Sequence, residues 1–164
     1  PDLEVLAVGD KNIKHVVVKS QLIARDGTHY YVREATEPAE IGQLYRLFLR
    51  QRYHKVVSEH DQFLVVVDNL DQLVGGICYK VQSDRVVYLD GLVIARQLQS
   101  HSLGSALLED FCMRMSNRGI EVIRTHFYRR NFYLKRSFQT DQRWGGLVRF
   151  LTAPSDDVSI SKGE

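Results

Sequence analysis

Cysteine is scarce in this sequence: there are two among 164 residues, Cys78 and Cys112, each inside an apolar pattern. Lone cysteines of this kind are reduced core residues, which argues against a disulfide framework and favours a reducing, cytoplasmic setting. Charge of one sign is scarce too. Lysine and arginine number 22 against 20 acidic residues, a net charge of +2, which gives no argument for a nucleic-acid partner. No apolar run approaches the about 18–20 residues a membrane span requires, and no charged-then-apolar signal segment opens the chain. The six histidines are scattered, and no set of His, Cys and carboxylates has metal-ligand spacing, so no metal is expected. Nothing resembles a nucleophilic triad, and there is no internal repeat. Residue 1 is Pro rather than Met, which leaves open an excised domain of a larger protein or a processed product.

What is present is ordinary for a globular protein: 44% hydrophobic and 26% charged residues in a length that suits one core. Short β-like runs come first, Leu3 to Val8 and His15 to Ala24. An Asp26-Gly27 turn then leads into the strand "HYYVREAT". "TEPAEIGQLYRLFLRQRY" reads as an amphipathic helix. Thr36 or Glu37 is placed to cap it, Pro38 suits its first turn, and Ile41, Leu44, Tyr45 and Phe48 recur at helical spacing. After the polar "VVSEHDQ", the runs "FLVVVD", "LVGGICYKV" and "VVYLDGLVI" read as strands joined by the turns "NLDQ" and "QSDR". A helix from Ser102 to Arg118 carries Leu103, Leu107, Phe111 and Met115 on one stripe and stops at Gly119. "IEVIRTHF" returns as a strand, "RRNFYLKRSF" as a short basic helix and "GGLVRFL" as a final strand. The tail "TAPSDDVSISKGE" is polar and reads as frayed.

A helix between "VVYLDGLVI" and "IEVIRTHF" makes a β-α-β unit, so those two strands should be parallel while the hairpins make the rest antiparallel. The fold class is therefore α+β, with a mixed, mostly antiparallel central sheet and flanking helices.

The segment joining strand to helix, Gln99-Ser100-His101-Ser102-Leu103-Gly104, resembles the acyl-CoA-binding motif of the GNAT superfamily of N-acyltransferases. The family pattern is Gln or Arg, two residues, Gly, one residue, then Gly or Ala. Gln99 and Gly104 match, and Ser102 replaces the first glycine. The helix then opens with Ser105-Ala106-Leu107-Leu108, similar to the family's small-Ala-Leu-Leu. Further on, Phe132-Tyr133 through Phe138 resembles the family's Phe-Tyr…Gly-Phe, with Ser137 in place of glycine. "DQLVGGI" looks like the family's third strand. The order of elements agrees over 29–152, read as the acyltransferase domain, leaving an N-terminal β-hairpin extension at 1–28 and a flexible tail at 153–164.

Elementary chemistry makes the same demand of this loop. A helix N-terminus exposes unsatisfied N–H groups and a partial positive charge, both suited to a diphosphate, and small residues let the backbone come close. If the loop needs a positive φ at Ser102, serine costs about 1 kcal/mol there. The resemblance implies acetyl-CoA or another acyl-CoA as co-substrate and a splayed pair of parallel strands as its slot. It assigns cofactor binding to Leu92, Val93 and Ile94 at the strand end, to Gln99, Ser100, His101, Ser102, Leu103, Gly104 and Ser105 in the loop, and to His126, where many members carry Asn.

The same resemblance makes Tyr133 the candidate general acid for the leaving thiolate. Asp90 is the only carboxylate on its strand face, and a charge in so apolar a run must be paired, hydrogen-bonded or functional. It is the candidate base. Glu59 and His60, in a loop where the family's acceptor region falls, are the candidate amine contacts. Arg129, Arg130, Lys135 and Arg136 form a solvated basic face from which one or two can pair with the CoA 3′-phosphate.

The expected activity is transfer of acetyl, or a related acyl group, from CoA to an amine, small-molecule or peptide, by direct attack. An acyl-CoA-binding or regulatory module without turnover stays open, as does an enzyme of the same fold with an atypical donor or reaction. A homodimer and a parent multidomain chain stay open as well.

Overall fold

The computed structural model describes residues 3–8 and 15–151, with side chains described for 19–99 and 102–151. The proposed tail at 153–164 lies outside the described residues. The chain divides into two compact units. One is formed by the chain up to Cys78 together with Gly91–Leu108, the other by Tyr79–Asp90 together with the chain from Glu109.

In the first unit, β1 (Leu3–Val8), β2 (His15–Ile23) and β3 (His29–Glu34) form an antiparallel meander, and β3 pairs antiparallel with β4 (Gln62–Val67). The β2–β3 turn is the Asp26-Gly27 turn expected from sequence: Gly27 holds φ +89°, and the Thr28 N–H donates to Asp26 Oδ1 at 3.0 Å. The next neighbours in the ladder are β5 (Leu73–Val81) and β6 (Val86–Ile94), which run on into the second unit.

Helix α1 (Pro38–Arg50) lies between β3 and β4 in sequence and begins with Pro at its first turn. Neither Thr36 nor Glu37 caps it with a side chain. Glu37 occupies the cap position with no side-chain hydrogen bond. The start of α1 is tied down instead by Arg33 on β3, whose guanidinium forks onto the Glu40 carboxylate and holds it below the usual carboxylate range. The predicted apolar stripe is the buried one: Leu44, Leu47 and Phe48 pack with Phe63, Val65 and Val67 of β4, with Cys78 and with Val93. Each such side chain contributes about 1.5–3 kcal/mol when fully buried.

In the second unit, β6 pairs parallel with β7 (Val122–Thr125), and β9 (Gly146–Phe150) lies antiparallel between β7 and β8 (Gln139–Asp141). The crossover is α2 (Leu103–Asn117), so the β-α-β unit is where the sequence put it. Its stripe Leu103, Leu107, Phe111 and Met115 is buried throughout, and Gly119 follows it at φ +89°. Three details differ from expectation. β7 is four residues long, ending at Thr125 rather than Phe127. The polar stretch before α2 is a 3₁₀ turn, Arg96–His101, and β8 has no counterpart in the sequence reading. Cys78 and Cys112 are buried thiols, and burial pushes Cys112 up to about 12.

Candidate active site

The connection from β6 to α2 is built by two glutamines that converge on one carbonyl. Gln51, just past α1, donates from Nε2 to the Ile94 oxygen at 2.6 Å, and Gln99 Nε2 donates to the same oxygen at 3.1 Å and to Gln51 Oε1 at 2.8 Å. The last backbone bond of this strand end, Ala95 N–H to Val74 O at 2.8 Å, fixes where the 3₁₀ turn begins. Leu92, Val93 and Ile94 are buried, so their side chains anchor the strand end while their backbone sets its path.

Ser102 then reverses the chain. It sits at φ 65°, ψ 13°, the left-handed region that glycine adopts without cost. The positive φ that the family's glycine implied is therefore required, and serine supplies it. Its hydroxyl accepts from Arg25 of the β2–β3 turn at 2.7 Å. The first helical bond of α2 runs from Ala106 N–H to Ser102 O at 3.1 Å. Leu103, Gly104 and Ser105 form the first turn of the helix, the end that carries its partial positive charge. Leu103 is fully buried and pins the turn, Gly104 and Ser105 are half-buried, and Gln99 and Ser102 are exposed. The side chains of Ser100 and His101 lie outside the described residues.

Gly91, at the head of this strand segment, is there for space. A Cβ on it would sit 2.8 Å from a Tyr53 ring carbon and 2.9 Å from a Phe48 ring carbon. In the loop after α1, Asp61 is the buried member of "SEHD". It accepts from Tyr45 at 3.1 Å and from the Ser58 N–H at 2.9 Å, and pairs with Lys55 at 3.1 Å. Glu59 and His60 face solvent, 3.7 Å from one another.

In the second unit, the parallel pairing of β6 with β7 ends at Leu89 and Thr125, while β6 continues to Ile94. Beyond that rung, side chains replace the ladder. Thr125 Oγ1 donates to Leu89 O at 2.7 Å, and His126 Nε2 meets Asp90 O at 2.8 Å. His126 Nδ1 accepts from the Tyr128 N–H at 3.1 Å. The proton is therefore on Nε2, which donates to the carbonyl. With both ring nitrogens engaged, His126 braces the strand ends where the family pattern has an amide.

Tyr133 stands behind the same rung. It belongs to a five-residue helix, α3 (Arg130–Leu134), and is buried between the rings of Phe132 and Phe138 at 5.2 and 5.1 Å. Its hydroxyl hydrogen-bonds Thr125, and burial pushes it up to about 12, opposed by Arg129 and by that hydrogen bond. Ser137 ends this segment at φ 71°, again a left-handed position where the family pattern has glycine.

Asp90 is buried and ion-paired with Lys80 of β5. Lys80 also lies 6.0 Å from the Tyr88 ring, which Arg124 flanks at 5.7 Å. Of the basic residues near α3, Arg129 and Arg136 cover the Phe132 ring at 4.7 and 4.0 Å, and Arg130 lies over Phe127 at 5.7 Å. Sequence reasoning singled out Asp90 and Tyr133 but missed the residues that hold them, Lys80 and Thr125. It also missed Gln51 and Arg25. The legible signal was Lys80, the one charge in β5, the strand beside Asp90's own.

The sequence model of the acetyltransferase (GNAT) family matches residues 26–138. No curated protein matches by sequence. Among solved structures, GCN5 from Tetrahymena is similar at TM-score 0.63 and 20% identity, over 72% of this chain and 90% of that one. The ribosomal-protein-S18-alanine N-acetyltransferase from Escherichia coli is similar at 0.61 and 12% identity, over 78% and 97%. N-acetylglutamate synthase from Neisseria gonorrhoeae, complexed with coenzyme A and N-acetyl-glutamate, is similar at 0.61 and 19% identity, over 75% of this chain and 35% of that one. At these identities the likeness is one of fold.

Proposed function

Because the chain belongs to the acetyltransferase (GNAT) family, we propose that it transfers an acyl group, acetyl foremost, from acyl-CoA to an amine by direct attack. The observation that carries this reading is the left-handed turn at Ser102, which opens α2 with small residues at a helix N-terminus. That arrangement fits a diphosphate: donors aimed out of a helix start, half-buried Gly104 and Ser105 offering little bulk, and the Arg25 guanidinium on Ser102. The coenzyme A bound to the similar gonococcal enzyme supports the same assignment. Acyl-CoA supplies the activated thioester. The residues assigned to hold it are Leu92–Ile94 and Gln99–Ser105, and the transferase domain is taken as 29–152.

The protein's own groups handle the protons. The amine must be neutral to attack, so a proton has to leave it, and Asp90, held by Lys80, is assigned that proton, directly or through one water. As the carbon–sulfur bond breaks, the thiolate needs a proton. Tyr133 is assigned as its source, because burial keeps the hydroxyl protonated at every physiological pH. Glu59 and His60 remain the assigned amine contacts on the acceptor loop, where their exposure suits capture of a cationic substrate.

Calorimetry with CoA and acetyl-CoA, followed by single-turnover transfer to a panel of amines, tests this. CoA should bind, Gly104→Glu should abolish binding by placing bulk and negative charge against the diphosphate, and an amine in the panel should be acylated. Wild-type chain that ignores CoA, or a Gly104→Glu variant with unchanged affinity, overturns the reading. Binding with no turnover on any amine selects the alternative of an acyl-CoA-binding module.

A further inference from the structure

The last turn of α1, the start of β5 and the start of the 3₁₀ turn enclose a cavity of about 370 Å³ within the first unit. Its lining includes Leu47, Arg50 and Gln51 from the end of α1, Gln72 before β5, and Arg96 and Gln97 of the 3₁₀ turn. No carboxylate lines the cavity. Other arginines in the molecule have acids: Arg33 has Glu40, Arg114 has Asp110, and Arg149 has Glu109. Among the described residues, neither Arg50 nor Arg96 has a carboxylate partner. Two guanidinium groups on one cavity, with no counter-charge of the protein's own, call for an anion from outside.

The geometry favours one class of anion. A planar carboxylate presents two oxygens along one edge and satisfies one guanidinium fork. Two guanidinium groups together call for more acceptor oxygens than one carboxylate edge offers, which a tetrahedral phosphate has. The volume falls within the range of small-molecule sites, about 300–1,000 Å³, and exceeds what a bare phosphate fills. We propose that this cavity binds a small phosphate-bearing ligand. The site is wired to the neighbouring loop: Gln51, another wall residue, holds Gln99 and the Ile94 carbonyl. A ligand seated against it steadies the turn that leads to Ser102.

The test is titration calorimetry of the whole chain with inorganic phosphate. One saturable site is expected, weakened about tenfold or more in Arg50→Gln and in Arg96→Gln. Arg46→Gln, an exposed arginine of α1 outside the lining, should bind as wild type does. Arg50 and Arg96 are exposed, so circular dichroism should show both variants folded. Absence of saturable binding up to about 10 mM phosphate, or unchanged affinity in both variants, overturns the proposal. Because phosphate is titrated alone, either failure leaves the acyl-transfer reading standing. Titrating CoA and dephospho-CoA with and without saturating phosphate then identifies the source. Competition seen with CoA and lost with dephospho-CoA means that the cofactor's own 3′-phosphate occupies the cavity. Indifference of both titrations to phosphate means a separate ligand. Either result upholds the site.

Discussion

Arg25 donates to the hydroxyl of Ser102 at 2.7 Å, and Ser102 is the residue that takes the left-handed turn into α2. The contact ties the β2–β3 turn to the loop and offsets part of what serine costs at φ 65°. Ser137, at φ 71°, has the same backbone conformation without a side-chain partner among the described residues.

This contrast makes the first prediction. Replacing Ser137 with Gly removes the left-handed penalty of about 1–2 kcal/mol and adds back about 0.5–1 kcal/mol of unfolded-chain entropy. The net gain should be about 0.5–1 kcal/mol, a rise of roughly 1–4 °C in Tm. Ser102→Gly should gain less, since it also gives up the Arg25 contact. Thermal denaturation of both variants checks this, and a Ser137→Gly protein that melts below wild type contradicts it.

A second prediction concerns Gly91. A methyl group there meets two aromatic rings at under 3 Å, Phe48 of the helix core and Tyr53 after it. Those rings are packed against each other, 5.3 Å between centroids, so they have little room to give. Gly91→Ala should cost about 1–3 kcal/mol through overpacking. Urea denaturation giving a midpoint equal to wild type would show that the rings swing aside freely.

Much of this architecture is legible in the sequence where periodicity is long. The stripes of α1 and α2 and the crossover between parallel strands come from patterns of ten residues or more, and the hairpin turn at Asp26-Gly27 from a short but specific turn signal. β8 is three residues, Gln139–Asp141, too short to show any alternation. The 3₁₀ turn at Arg96–His101 has a single apolar residue, Leu98, and so reads as loop. β7 stops early because Thr125 spends its hydroxyl on Leu89 and His126 turns to Asp90, and neither contact leaves a mark in local sequence. The same holds for the candidate site. Residue type announced Asp90 and the family resemblance announced Tyr133, but Lys80, Thr125, Gln51 and Arg25 reach them, or the loop, from distant positions.

Alkaline pH should reveal Cys112. Burial raises its thiol from 9.0 to about 12 in the folded protein. The unfolded chain therefore loses this proton first. Stability from the group is fully present below about pH 9 and is lost as pH rises toward 12, by an order of 1 kcal/mol at pH 10. Cys112→Ala removes the titration, so the stability gap between variant and wild type should narrow by that amount from pH 8 to pH 10. Two parallel stability curves over that range would contradict the assignment.

The last prediction separates a catalytic Tyr133 from a structural one, using its neighbour as the control. Tyr133→Phe keeps the ring between Phe132 and Phe138 and removes only the hydroxyl that hydrogen-bonds Thr125. Thr125→Val keeps the volume and breaks the same hydrogen bond from the other side, leaving the Tyr133 hydroxyl in place. If the bond is only structural, Tyr133→Phe loses about 0.5–1.5 kcal/mol, Thr125→Val loses more because its bond to Leu89 O goes too, and both turn over nearly as wild type does. If the hydroxyl protonates the thiolate, the two part ways. Tyr133→Phe should then lower the single-turnover rate about 10²- to 10⁴-fold at nearly unchanged acyl-CoA affinity, because a thioester sulfur accepts hydrogen bonds poorly in the ground state. Thr125→Val should retain most of that rate, since the proton donor remains. Aryl and alkyl thioesters add a further check: a thiolate of lower pKa needs its proton less, so the penalty of Tyr133→Phe should shrink with a better leaving group. Turnover of Tyr133→Phe within about two- or threefold of wild type removes Tyr133 from the chemistry and leaves it as the ring that closes the end of β7.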